Sequence, residues 1–255
     1  QLDQSTQYSD NIFYGNDSLF APGTTIPLRA QEDDLILMFS PGVLLQYGLQ
    51  TGNRVTLEYT LDDVVYTGHS DFNTLQHRID LRSQFEAGKF RLTGDDSVNF
   101  LSSFMGGGYY ADPNNPGANR LQVDRTQTQL SHRLLFDYSD KSDAYGDFLY
   151  NATDFTSNTS LYDINNLRGT LGATYKYSDK LGIFAEGFYG QSAVNPNQGG
   201  VKGPHSDVYG GFVGVQGEFT PKLSGSLKVG YEQRAFPNAT LAADSPAVEV
   251  SLSYV

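Results

Sequence analysis

The stretch Leu75-Gln76-His77-Arg78-Ile79-Asp80-Leu81-Arg82-Ser83-Gln84-Phe85-Glu86 decides the fold. Successive side chains of an extended chain point to opposite sides, so it sorts into two rows. Leu75, His77, Ile79, Leu81, Ser83 and Phe85 form one; Gln76, Arg78, Asp80, Arg82, Gln84 and Glu86 form the other. One row is mainly apolar and the other strongly charged, a separation that a helical period would scramble. The same period of two appears upstream, where Val55, Leu57, Tyr59 and Leu61 alternate with Arg54, Thr56, Glu58 and Thr60. It returns at Leu130 to Tyr138, at Leu223 to Tyr231 and at Val248 to Tyr254. Followed along the chain, it predicts about 12 strands, near 5–14, 35–48, 54–67, 73–86, 89–104, 122–138, 143–155, 162–177, 181–191, 206–219, 223–235 and 246–255. Long stretches with apolar residues at i, i+3, i+4 and i+7 are missing, so the fold class is all-β, in one domain over residues 1–255.

Strands of this length exceed the roughly 5 or 6 residues usual in globular sheets. A tilted strand needs about 9 to 11 residues to cross a bilayer. The connections alternate in length. Tyr138-Ser139-Asp140-Lys141, Tyr177-Ser178-Asp179-Lys180 and Phe219-Thr220-Pro221-Lys222 repeat one tight-turn pattern at intervals of 39 and 42 residues. Gly48 to Asn53 and Ala87-Gly88-Lys89 occupy the same place in two earlier hairpins. Between them lie polar connections rich in Gly, Pro and Asn, at 106–122, 191–205 and 236–245. Tyr47, Phe85, Tyr138, Tyr177 and Phe219 enter the short turns and Tyr254 ends the last strand, as an aromatic girdle would at one membrane interface. The expected architecture is a transmembrane antiparallel up-and-down β-barrel, with outer-membrane lipid around it. A soluble sandwich is the competing reading, weakened by the strand lengths and by the alternating turns.

Composition narrows the function. The longest wholly apolar run, Leu35 to Phe39, is five residues, so no segment spans a bilayer as a helix. A net charge of −12 argues against nucleic acid as a partner. The chain has no cysteine, which removes disulfides, thiolate metal sites and Cys nucleophiles.

Asp10-Asn11-Ile12-Phe13, Ser40-Pro41-Gly42-Val43, Val55 to Leu81 and Val229-Gly230-Tyr231-Glu232-Gln233-Arg234-Ala235-Phe236 are the segments on which the chain resembles a family of bacterial outer-membrane β-barrel porins, some encoded beside exopolysaccharide synthesis and export genes. The resemblance covers most of the chain. It implies a Gram-negative outer-membrane location and a barrel fold more firmly than a solute, and within the channel class it points to exopolysaccharide. The chain departs from the usual barrel pattern by ending Ser253-Tyr254-Val255 rather than on an aromatic residue, and family members are commonly longer. A barrel of 12 strands and part of one of 16 to 18 both stay open.

In such a barrel the face opposite the apolar one lines the lumen. It gathers Arg54, Arg78, Arg82, Arg91, Arg125, Arg133, Arg168 and Arg234, eight of the ten arginines, with Lys176 and Lys228. Glu58 and Asp80 are among the acidic residues there, so the lining is mixed in charge. Arginine's planar fork of donors suits small anions and glycan hydroxyls, while cross-strand ion pairs that brace the wall are the plainer role for any single one. The expected function is passage of polar or anionic solutes, exopolysaccharide among them, alone, as a homo-oligomer or with export machinery. The alternative is a plugged structural or adhesive barrel presenting acidic loops.

No catalytic residue, cofactor or metal is expected. His69-Ser70-Asp71 places three triad residue types side by side on a loop, where each cannot bond the next. Ser131 and His132 alternate to opposite faces. A hydroxyl within reach of a histidine at the outer edge would favour a hydrolase instead. Glu32-Asp33-Asp34, Asp62-Asp63 and Asp95-Asp96 lack calcium-loop spacing and read as solvated loop or strand-end charge. The 106–122 loop, with Tyr109 and Tyr110, reads as a surface loop rather than an inward constriction.

Overall fold

The computed structural model describes residues 2–9, 33–48, 52–104, 122–156, 162–196, 203–220, 222–237 and 242–254. Within them lie twelve strands: β1 Leu2–Ser9, β2 Asp34–Gly48, β3 Arg54–Tyr66, β4 Thr74–Ala87, β5 Phe90–Phe104, β6 Gln122–Ser139, β7 Ser142–Phe155, β8 Tyr162–Lys176, β9 Leu181–Pro196, β10 His205–Thr220, β11 Leu223–Ala235 and β12 Ala242–Tyr254. One short 3₁₀ turn, Ser70–Phe72, follows β3. The strands form a single antiparallel sheet in strict sequence order, β1 to β12, the up-and-down meander the period predicts. The 106–122 connection lies outside the described residues, apart from Gln122.

Three strands differ from expectation, and the last of them, β12, begins at Ala242 rather than 246 because Ala242 to Ser245 already pair with β11. The first begins at Leu2 rather than at 5, because its polar sequence hardly alternates and its position is set by pairing with β2, Tyr8 opposite Leu35, while 10–14 of the expected span lie outside the described residues. β9 runs on to Pro196, since Val194, Asn195 and Pro196 still pair with Ile164, Asp163 and Tyr162 although their composition resembles a loop.

The turn repeat has a local chemical cause. Ser139 Oγ accepts the Lys141 amide at 3.3 Å. Ser178 Oγ accepts the Lys180 and Leu181 amides at 3.3 and 3.1 Å, and Thr220 Oγ1 accepts those of Lys222 and Leu223 at 3.3 and 3.0 Å. A hydroxyl at this position satisfies amides that the reversing strand leaves unpaired. The Gly88-Lys89 turn uses the other device: Gly88 has φ +61°, a conformation that a side chain disfavours.

The two faces are inverted relative to a soluble sheet. On one, large apolar side chains stand exposed, with Leu171 at 75%, Val248 at 70% and Val213 at 56%. On the other, Tyr145, Thr174, Phe184, Phe188 and Phe212 are all buried. Each strand pairs with its sequence neighbours, and no second layer covers the buried face among the described residues. Curling of the sheet is what buries it. The polar face is therefore the inner one, and β1 and β12 are its two edges, unpaired with each other in the described residues.

Candidate functional site

The strand register gathers the residues expected to line the lumen on one face of the sheet, the polar one. Arg54, Arg78, Arg82, Glu58 and Asp80 come together on β3 and β4, where Glu58 sits directly opposite Asp80, Arg78 opposite Thr60 and Arg82 opposite Thr56. Arg91 and Arg125 share that face through β5 and β6, Arg133 and Arg168 through β6 and β8, and Arg234 and Lys228 through β11. An inner groove of about 460 Å³ over β2 to β4 is lined by Glu58, Thr60, Asp62, Gln76 and Arg78.

Most of these cations are neutralised on the wall. Arg78 Nη2 lies 3.3 Å from Asp62 Oδ2, Arg91 Nε 3.1 Å from Glu86 Oε1, and Arg133 Nε 3.6 Å from Asp147 Oδ1. Arg234 reaches Glu232 at 3.8 Å. Lys228 Nζ bridges Glu186 at 3.2 Å and Glu249 at 2.9 Å. Arg168 lies instead over the Phe188 ring at 4.0 Å and Lys228 over Phe212 at 4.8 Å, with the two rings stacked at 5.7 Å.

The inner aromatics were not legible in the sequence, and glycines on the adjoining strand explain how they fit. Tyr145 lies across Gly172, Phe184 across Gly214, Phe188 across Gly210 and Phe212 across Gly230, each ring occupying space a Cβ would need. The rings consequently lie flat on the wall. Tyr145 also donates to Glu186 Oε2 at 2.7 Å beneath the Arg133 guanidinium, which is 4.6 Å from its centroid. A sequence signal exists, aromatic residues at polar-face positions facing glycine-rich strands, but it becomes readable only once register is known.

From the middle of β4 toward the long-loop ends of β9 and β10, one lateral row crosses Asp80, Ser97, Gln129, Asn151, Asn166, Ser192 and Ser206 on neighbouring strands. Apart from Asp80, it presents amides and hydroxyls rather than charge.

On the outer face, the aromatics beside the short turns are exposed: Tyr47 84%, Tyr138 69%, Tyr177 73% and Tyr254 74%. A second aromatic border, which periodicity alone did not show, runs toward the long loops through Phe148, Tyr189, Tyr209 and Tyr231. Tyr189 Oη donates to Asp207 Oδ1 at 3.0 Å, Gln191 Nε2 donates to Tyr189 Oη at 2.7 Å, and Tyr209 Oη donates to Gln233 Oε1 at 2.6 Å. Leu181 to Tyr189 spans about 26 Å of strand at ~3.3 Å per residue, or about 20 Å along a barrel axis at a tilt of ~40°. Rings with an apolar body and a bonded hydroxyl suit the boundary between hydrocarbon and water.

Asp34 stands at the start of β2, the strand-end place expected of it, but it is not solvated: its side chain is only 1% exposed. Its Oδ1 accepts the Leu35 amide at 2.7 Å, the Gly68 amide at 2.8 Å and Thr67 Oγ1 at 2.9 Å, and Oδ2 lies 2.9 Å from His69 Nδ1. Burial alone would raise its pKa, but these bonds outweigh it and hold the carboxyl at about 2. Asp34 thus ties the start of β2 to the β3–β4 loop at the long-loop end. His69, stacked on Phe72, is committed to that brace.

Inverted faces, an inner wall of charge and amide, and two outer aromatic borders define the wall of an up-and-down β-barrel. No protein-family model matches the chain, and no curated protein matches it either. Among solved structures it is similar to a NanC porin in a rhombohedral crystal form, at 9% identity and a TM-score of 0.37, over 100% of this chain and 98% of that one. The fold assignment rests on the strand register.

Proposed function

We propose that this chain forms the wall of an outer-membrane β-barrel channel through which polar solutes pass. The observation that carries the reading is the inner face: its aromatic side chains and many of its cations are folded against the wall by glycines, ring faces and ion pairs, which draws these described side chains away from the centre. An outer belt of exposed Leu, Val, Ile and Tyr between two aromatic borders supports a lipid surrounding. Paired charges argue for a weak ionic preference. The Ser, Gln and Asn row matches the hydroxyls of a glycan, so a polysaccharide chain fits the wall better than a small anion does.

Single-channel conductance of the purified chain in a planar bilayer tests this, with reversal potentials measured under a salt gradient. Stable steps are expected. A double variant, Arg78→Ala with Arg82→Ala, should shift ion preference toward cations, because those two residues stand beside the Glu58–Asp80 pair. A folded, heat-modifiable protein that conducts nothing would refute the channel and favour a plugged structural barrel.

A further inference from the structure

The outer face brings together three residues that the sequence keeps apart. Ser83 on β4, Gly94 on β5, and His132 on β6 are direct lateral neighbours, all on the outer face. Gly94 has no side chain, and Ser83 and His132 lean over it from either side. The position a Cβ would take on Gly94 is 2.6 Å from Ser83 Oγ and 2.8 Å from His132 Nδ1. The other ring nitrogen, Nε2, lies 3.1 Å from Asp96 Oδ1, an ion-pair distance without hydrogen-bond alignment. No direct hydrogen bond joins serine and imidazole in the substrate-free structure, where catalytic contacts are commonly loose.

We propose that Ser83, His132 and Asp96 form an esterase site on the outer wall, acting on the carboxylic ester of an acyl chain. An adjoining outer groove of about 880 Å³ supplies the place for that chain. Gly146, Gly169 and Gly187 line it, together with Phe148 and Tyr189, and His132 is part of its lining. Ser83 lies two residues along β4 from Phe85, one of the exposed aromatics beside the short turns, the level at which lipid esters lie.

The chemistry balances with water as the only co-reactant. Ser83 Oγ attacks the ester carbonyl and its proton passes to His132. The carbon–oxygen bond to the leaving alcohol breaks as His132 returns that proton to the alcohol. Water, deprotonated by His132, then cleaves the Ser83 ester, releases the fatty acid and restores the hydroxyl. Asp96 is a positioning residue that stabilises the imidazolium. The site rests on the outer face meeting lipid, but its reactivity can be read in detergent whether or not the barrel conducts.

The test uses the full chain in detergent micelles, an alkyl fluorophosphonate as probe and p-nitrophenyl palmitate as substrate. The expected result is a phosphonyl adduct on Ser83 by mass spectrometry together with palmitate release. Both should vanish in Ser83→Ala and fall roughly 100-fold in His132→Asn. Gly94→Ala should block labelling by filling the gap between the two side chains. Asp96→Asn should slow labelling and move its pH profile, which a merely structural change would not do. Heat-modifiable migration and unchanged conductance establish that each variant is folded. Absence of the Ser83 adduct, an adduct that forms as fast in His132→Asn, or no palmitate release from the wild-type chain would each overturn the proposal.

Discussion

Replacing Gly172 by alanine tests whether glycines keep the inner aromatics against the wall. The new methyl would land on the Tyr145 side chain, which supplies its three nearest atoms, so the ring is what must move. Tyr145 is 9% exposed, and turning it inward breaks its 2.7 Å bond to Glu186 and its contact with Arg133. A hydrogen bond to a charged group contributes about 1.5–3 kcal/mol and a partly exposed cation–π contact about 0.5–1 kcal/mol. Gly172→Ala should therefore destabilise the sheet by about 2–4 kcal/mol and lower conductance, because a tyrosine then projects into the passage. The assay is urea unfolding from lipid vesicles alongside single-channel recording, repeated in a Tyr145→Ala background. There the alanine at 172 has no ring to displace, and its added cost should fall below about 0.5 kcal/mol, within the range of an ordinary surface substitution. An equal cost in both backgrounds, or unchanged conductance in the single variant, would refute the wall-packing account.

Leu171→Arg probes the outer belt: a charge facing hydrocarbon should cost about 2–4 kcal/mol, whereas the same change at a water-exposed position would be close to neutral in the same unfolding assay. Lys228→Met leaves Glu186, whose side chain is 11% exposed, without its cation, and should lower the urea midpoint by the equivalent of about 2–3 kcal/mol, with Lys228→Arg restoring most of it. The Asp34 brace should depend on acid: its carboxyl is held at about 2 against 3.8 unperturbed, so the stabilisation is complete above about pH 4 and disappears as pH falls toward 2. Limited proteolysis by an acid-active protease should cut the Thr67 to Asn73 loop increasingly over that window, while Asp34→Asn should be cut readily even at pH 6.

The faces were legible because alternation is local: Leu75 to Glu86 separates its rows without knowledge of any other strand. The tight turns were legible for the same reason, since Ser139, Ser178 and Thr220 bond amides two or three residues away. What stayed hidden depends on register. Nothing near Tyr145 in sequence announces Gly172, and nothing near Ser83 announces His132, which lies 49 residues on. Asp34 looked like solvated charge because its partners, Thr67, Gly68 and His69, belong to a different connection. Alternation assigns each arginine to a row but not to a partner, because guanidinium pairing is decided by the strands that happen to flank it.

The sequential pairing of the strands has a consequence for how such a wall changes size. Each strand pairs through its backbone only with the ones before and after it, so a hairpin is a module whose removal or duplication lets its flanks meet in the same orientation. The turn signature recurring at 39 and 42 residues marks the length of that module. Copying it would widen the circumference by two strands, keep the alternation of inner and outer residues, and leave every existing Ser- or Thr-capped turn at the same rim. Circumference is thereby a matter of module number, and solute size could change across relatives without any redesign of the wall itself.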